Sequence, residues 1–247
     1  MQTTLQVGER TVQVEYVPAP QMVVFSHGFG VRHDARGLFT DIVMVLPKGW
    51  GYALFDYDSY DETTKRQHVV GFGTRLQELK AVLDWAGTQK GVATVHLVGH
   101  SLGSLTIASL APETAGEIVL MVPPLTLGSR FVELYNKRPG VKHEGHTWSV
   151  PRSDGTTTVV DDEAFAELMS IDAEGELAKL AMFRPYTIVL AGTDEVLPDE
   201  DYTDLIVMPS VSMQGIDQAD HDFSGRAREE VIHIVTNLLQ GKEVEVE

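Results

Sequence analysis

The chain has 247 residues, enough for one large α/β domain or two small ones with a substantial buried core. Its 19 Lys and Arg stand against 36 Asp and Glu, a formal net charge of −17 that disfavours nucleic acid, anionic membranes and, unless a local pocket overrides the field, strongly anionic substrates. The absence of cysteine excludes disulfides, thiolate metal sites and a cysteine nucleophile, and fits a reducing, cytoplasmic setting.

Residues 4–7 and 12–16 alternate apolar and polar around Gly8-Glu9, which predicts an N-terminal β-hairpin. Short continuous apolar runs follow: Met22 to Phe25, Tyr52 to Phe55, Val95 to Val98, Ile118 to Val122 and Ile188 to Ala191. Runs of this kind belong to strands covered on both faces, as in parallel sheets. Between them Phe72, Leu76, Leu79 and Leu83 form one helical stripe, and Val231, Ile234, Val235 and Leu238 form another. The alternation predicts an α/β fold, a mostly parallel sheet with helices on both sides and its ligand site at the carboxyl ends of the strands. No apolar stretch approaches the roughly 20 residues of a membrane span, and the first residues lack the basic-then-apolar pattern of a secretory signal.

The alternation breaks once. Residues 146–150 and 156–160 flank a turn signal at 151–155, and two short helical patterns follow around 162–170 and 174–182. The expected organisation is a core of residues 1–123 and 186–247, with 124–185 inserted as a cap over the strand ends. Phe131, Leu134, Tyr135, Trp148, Phe165, Leu168, Met169 and Met182 are too many apolar groups for an unstructured loop. Most must pack internally, but a cap also turns some side chains toward a ligand. Trp148, the bulkiest on the hairpin, is the expected pocket wall.

The chemistry centres on Gly99-His100-Ser101-Leu102-Gly103, directly after an apolar run and before a helical one. A strand that turns straight into a helix leaves no room for side chains at the flanking positions, and glycine at both ends removes the collision. G-x-S-x-G in that setting is the nucleophile elbow, although a Gly-rich turn can equally be an anion site. A serine needs partners. Of nine histidines, His221 in Asp220-His221-Asp222-Phe223 lies in a polar loop before the last helix. His96 and His233 fall inside elements, and His100 must leave the elbow in another direction. Asp194, just past the Ile188 to Ala191 run, is the expected orienting acid, with Glu195 as its rival. The oxyanion donors are expected from the N–H groups of Leu102 and of Phe29 in His27-Gly28-Phe29-Gly30, where His27 reads as a buried prop. The run of Asp194, Glu195, Asp199, Glu200, Asp201 and Asp204 reads as a solvated acidic loop rather than a metal site.

Each signal alone has an ordinary structural reading. Together they give the order Ser101, Asp194, His221 at successive strand ends, which separates one hydrolase architecture from the others. With H-G-F-G at 27–30, G-H-S-L-G at 99–103, G-T-D-E at 192–195 and A-D-H-D-F at 219–223, most of residues 22–240 resembles the α/β-hydrolase superfamily. Within it the chain is most similar to small microbial carboxylesterases, feruloyl (cinnamoyl) esterases and monoacylglycerol lipases, while residues 124–185 carry no motif that aligns. The resemblance implies serine hydrolysis of a small neutral ester, short-acyl or hydroxycinnamoyl, through an acyl-enzyme and without metal or organic cofactor. A thioesterase, amidase or aminopeptidase on the same fold, or a non-catalytic ligand-binding protein, are the alternatives.

Overall fold

The computed structural model describes residues 1–113, 116–128, 139–152, 154–198 and 200–242. Two strands, β1 (Gln2–Val7) and β2 (Arg10–Val17), form the expected hairpin. They continue into a sheet with β3 (Gln21–Ser26), β4 (Trp50–Phe55), β7 (Thr94–His100), β8 (Ile118–Met121), β12 (Tyr186–Ala191) and β13 (Val211–Ile216). The order is β1-β2-β4-β3-β7-β8-β12-β13, and every pairing from β4 to β13 is parallel.

The central strands, β3 and β8 above all, are largely apolar because both faces are covered. Met22 and Val24 of β3 join one buried cluster with Leu79, Val82, Ile107, Leu177 and Leu180. Val23 and Phe25, one residue out of phase, join another with Leu38, Phe39, Ile42, Val231 and Val235. The first face is covered by α2 (Phe72–Thr88), α3 (Leu102–Leu110) and α5 (Ala173–Phe183), the second by α1 (Leu38–Val45) and α7 (Arg226–Leu239). Each such side chain contributes about 1.5–3 kcal/mol on burial, which fixes the register of β3 between the two layers.

A second sheet lies beyond the strand ends. The hairpin of β10 (Thr147–Pro151) and β11 (Thr157–Asp161) pairs on one side with β9 (Lys142–Glu144). On the other it pairs in parallel with β6 (Arg66–His68), which carries β5 (Ser59–Asp61) at the edge. This sheet therefore draws on residues 59–68 as well as on the segment after Pro124. Helix α4 (Asp162–Met169) follows, capped by the Asp161 carboxylate on the Ala164 amide, and α6 (Thr203–Ile206) completes the set described. Leu168 is buried and Met182 is 78% exposed, whereas Phe131, Leu134 and Tyr135 fall outside the described residues, as do Ser153 and Asp199.

Candidate active site

Ser101 has φ 54° and ψ −124°, a conformation that costs a non-glycine residue about 1–3 kcal/mol. Close packing on both sides imposes it. A Cβ at Gly99 would lie 2.6 Å from the Ser104 Cα, and one at Gly103 would overlap the Ser26 carbonyl. The Ser101 amide donates to the Met121 carbonyl of β8 at 2.9 Å, and the Ser104 hydroxyl donates to the same oxygen at 2.9 Å. The elbow is thus tied to the neighbouring strand, with Ser101 partly exposed at the end of β7.

The loop after β3 is wired to that elbow. The Ser26 hydroxyl donates to the Gly103 carbonyl (3.0 Å) and contacts the Tyr57 hydroxyl at 2.8 Å. His27 is fully buried, and its Nε2 accepts from the Tyr57 amide at 3.1 Å. The proton therefore sits on Nδ1, which donates to the Gly28 carbonyl at 2.9 Å. Burial, with the Arg75 charge, lowers the His27 pKa to about 3, so the ring is a neutral prop, as its place in the sequence suggested. Gly28 stands against the serine, where an added Cβ would come 3.2 Å from the Ser101 Cβ. Phe29 packs on the cluster that contains Leu102 and Leu105, so the two expected oxyanion residues share one patch. Leu102 opens α3, where the first amides have no intrahelical acceptor.

Behind the loop lies Arg75, completely buried on α2. Its guanidinium donates to the His27 carbonyl and to the Thr106 hydroxyl (3.4 Å), and stacks 3.9 Å over the Tyr57 ring. Sequence reading passed over this residue. Its signal was a charge inside the apolar stripe between Phe72 and Leu79.

On the far side of the serine strand, Asp194 follows β12. Its Oδ1 accepts the Val196 and Leu197 amides at 2.9 and 2.7 Å, and its Oδ2 accepts His221 Nδ1 at 2.7 Å. Burial pushes this carboxyl up, but the His221 bond and charge and the two amides outweigh it, so its pKa lies below the ordinary value. His221 is 6% exposed, and with Nδ1 on the carboxylate its Nε2 is the basic nitrogen. Glu195 accepts the His221 backbone amide (3.2 Å), so the adjacent carboxylates divide between ring and main chain. His100 also belongs to this group: its Nε2 donates to the His221 carbonyl at 2.8 Å, with the two rings 5.0 Å apart. The sequence showed only that His100 leaves the elbow away from Ser101.

Two further members of the acidic run are held by local hydrogen bonds. Glu200 accepts the Leu125 and Thr126 amides, and Asp201 accepts from Thr203. Among the described residues, no group of three or more His, Cys, Asp and Glu is placed to hold a metal ion. Trp148 is sandwiched between His143 (centroids 4.2 Å) and Phe165 (5.4 Å), and its Nε1 donates to Asp162 at 3.0 Å. It packs on the same small cluster as Phe29, which joins the second sheet to the loop after β3.

An elbow serine, a glycine-flanked loop against it and a carboxylate-bound histidine on one parallel sheet are the features of a hydrolase class. The chain belongs to the alpha/beta hydrolase family, whose match spans residues 23–234. No curated protein matches the sequence. Among solved structures it is similar to Est1E from Butyrivibrio proteoclasticus with ferulic acid bound, at a TM-score of 0.76 and 15% identity over 97% of this chain and 98% of that one. It is also similar to the esterase domain of a Rhodothermus marinus protein (TM-score 0.67, 18% identity, 96% and 95% covered). An esterase of Pyrococcus furiosus aligns with a TM-score of 0.70 at 17% identity, over 98% and 90% of the two chains. At these identities the likeness is one of fold.

Proposed function

We propose that the protein is a serine carboxylic ester hydrolase acting on a small ester. The observation that carries this reading is the 2.7 Å bond between His221 Nδ1 and a carboxylate held ionised, on the loop tied by His100 to the strained serine elbow. His221 Nε2 takes the Ser101 proton as the hydroxyl oxygen attacks the ester carbonyl carbon. The amides of Phe29 and Leu102 receive the developing oxyanion, and Asp194 stabilises the imidazolium. The alcohol leaves with the proton from His221. Water, deprotonated by the same nitrogen, then releases the acid and restores the serine. The scheme calls for no metal and no organic cofactor.

In this reading the second sheet caps the site and Trp148 backs the pocket wall through the cluster it shares with Phe29. No described helix is long and apolar enough to cross a membrane, and a cytoplasmic setting accords with a chain lacking cysteine. A panel of p-nitrophenyl esters of rising chain length, with methyl ferulate and a monoglyceride, tests the function. Saturable hydrolysis of at least one member is expected, and inertness toward all of them contradicts the proposal.

A further inference from the structure

Arg75 carries a charge with no exposed side-chain surface, and its ion pair with Asp58 is 3.9 Å long, beyond hydrogen-bond distance. Burying a guanidinium costs several kcal/mol and a loose pair returns little of it, so stability alone does not account for the residue. Its hydrogen bonds go instead to the chain around Ser101. Nη2 donates to the His27 carbonyl, in the loop after β3. Nε donates to the Thr106 hydroxyl at 3.4 Å, and that hydroxyl donates to the Leu102 carbonyl at 2.8 Å, in the first turn of α3. One planar group therefore spans the two segments that carry the amides of Phe29 and Leu102.

The peptide planes on both sides are held from the same centre. The Phe29 N–H belongs to the Gly28–Phe29 peptide, whose carbonyl accepts His27 Nδ1 at 2.9 Å. That ring is fixed in turn by the Tyr57 amide on Nε2 at 3.1 Å, and Arg75 stacks 3.9 Å over the Tyr57 ring. Arg75 thus holds His27 directly at its carbonyl and, through Tyr57, at its ring. The Leu102 N–H belongs to the Ser101–Leu102 peptide, whose carbonyl accepts the Ser104 amide at 2.9 Å in the turn that Thr106 closes. The counter-charge is positioned by the second sheet. Asp58 accepts Gln67 Nε2 of β6 and the Val70 amide, each at 3.2 Å, and Gln67 also donates to the Val31 carbonyl at 2.7 Å. Burial pushes the Asp58 carboxyl up to about 6, with the Arg75 charge opposing.

We infer that Arg75 is a positioning residue that sets the spacing of the Phe29 and Leu102 amides, through the His27 carbonyl on one side and Thr106 on the other. The inference rests on the serine-esterase reading above and adds to it a group that touches no substrate. Oxyanion donors act on charge that develops in the transition state, so a lost spacing lowers kcat and leaves KM nearly unchanged.

The test compares p-nitrophenyl acetate with its thiono analogue, in which C=S replaces C=O. Sulfur accepts hydrogen bonds weakly, so the ratio of the two kcat values reports what the amides supply, while a loss of folded protein cancels from it. Wild type should prefer the oxo ester by about 100-fold or more. Arg75→Met combined with Asp58→Asn leaves no lone buried charge. It should lower kcat on the oxo ester by about 10²-fold with KM within about threefold, and shrink the oxo preference by about tenfold. Thr106→Val removes only the link to α3 and should shrink the preference by about threefold. It decides the matter if the double variant does not fold. No oxo preference in wild type, or equal losses on both esters in the folded variants, as a purely structural role would give, overturns the inference and leaves the esterase reading standing. Wild type inert toward p-nitrophenyl acetate and every other ester overturns that reading and this inference with it.

Discussion

Two histidine–carboxylate pairs at strand ends have almost the same bond. His221 Nδ1 lies 2.7 Å from Asp194, and His33 Nδ1 lies 2.8 Å from Asp56. Their surroundings differ. Asp56 also accepts the His33 backbone amide at 2.6 Å, so it clamps its own loop, and both side chains are 29% exposed. Asp56 follows β4, two strands from β7, roughly 10 Å across the sheet, and helps line a polar cleft of 320 Å³ with β1 and β2. His221 and Asp194 are buried on the side of β7 where His100 holds the His221 main-chain carbonyl beside the elbow. A short His–Asp bond is therefore common structural material. What distinguishes the His221 pair is its place beside the Ser101 elbow, against which the glycine-flanked loop after β3 is packed.

The two acids should differ most. Asp194→Asn should lower kcat by about 10⁴-fold, because the imidazolium loses its counter-charge and the ring its tautomer. Asp56→Asn should leave kcat within about twofold. Steady-state kinetics on p-nitrophenyl acetate decides it, and comparable losses from both substitutions would dissolve the distinction. A smaller effect is expected at Trp148. Its replacement by Ala should reorder ester preferences by about tenfold while sparing p-nitrophenyl acetate, since a wall residue alters discrimination and not triad geometry. Equal losses on all esters would make the ring a packing element alone.

The smallest effect concerns the pH dependence of the His33–Asp56 pair. The hydrogen bond to Asp56 and its charge raise the His33 pKa above 6.5. On Asp56, burial acts upward but the His33 bond and nearby charges hold the pKa below 3.8. A raised histidine contributes stability that is full below 6.5 and lost as pH climbs through its folded value. A depressed carboxyl contributes above 3.8 and is lost as pH falls. The pair therefore works between those limits. Asp56→Asn should destabilise the fold more near pH 5–6 than near pH 9, the difference being about 0.5–1 kcal/mol given its exposure. Thermal melts across that range check it, and a deficit that grows toward pH 9 contradicts the assigned charges.

Much of the core was legible because its signals are local. The continuous apolar runs became β3, β4, β7, β8 and β12, and the glycines at 99 and 103 announced the turn that the Ser26 carbonyl and Ser104 backbone enforce. The second sheet was legible only in its hairpin. Strand β6 is three residues long and carries Arg66, Gln67 and His68, so it has no apolar pattern, and its partner β11 lies some ninety residues away. Parallel pairing over such a separation leaves no trace in a local window. The place of Arg152 beside Gly30 was invisible for the same reason: it depends on the hairpin folding back over the loop after β3, which no spacing in the chain records.

The central claim is that Ser101 is the activated nucleophile. A fluorophosphonate probe, followed by peptide mapping of the modified protein, tests it most directly. Wild type should be labelled stoichiometrically on the peptide containing Ser101, Ser101→Ala should not be labelled, and Asp194→Asn should react far more slowly. Labelling that is absent from wild type, or that persists in Ser101→Ala at the wild-type rate, would contradict the account.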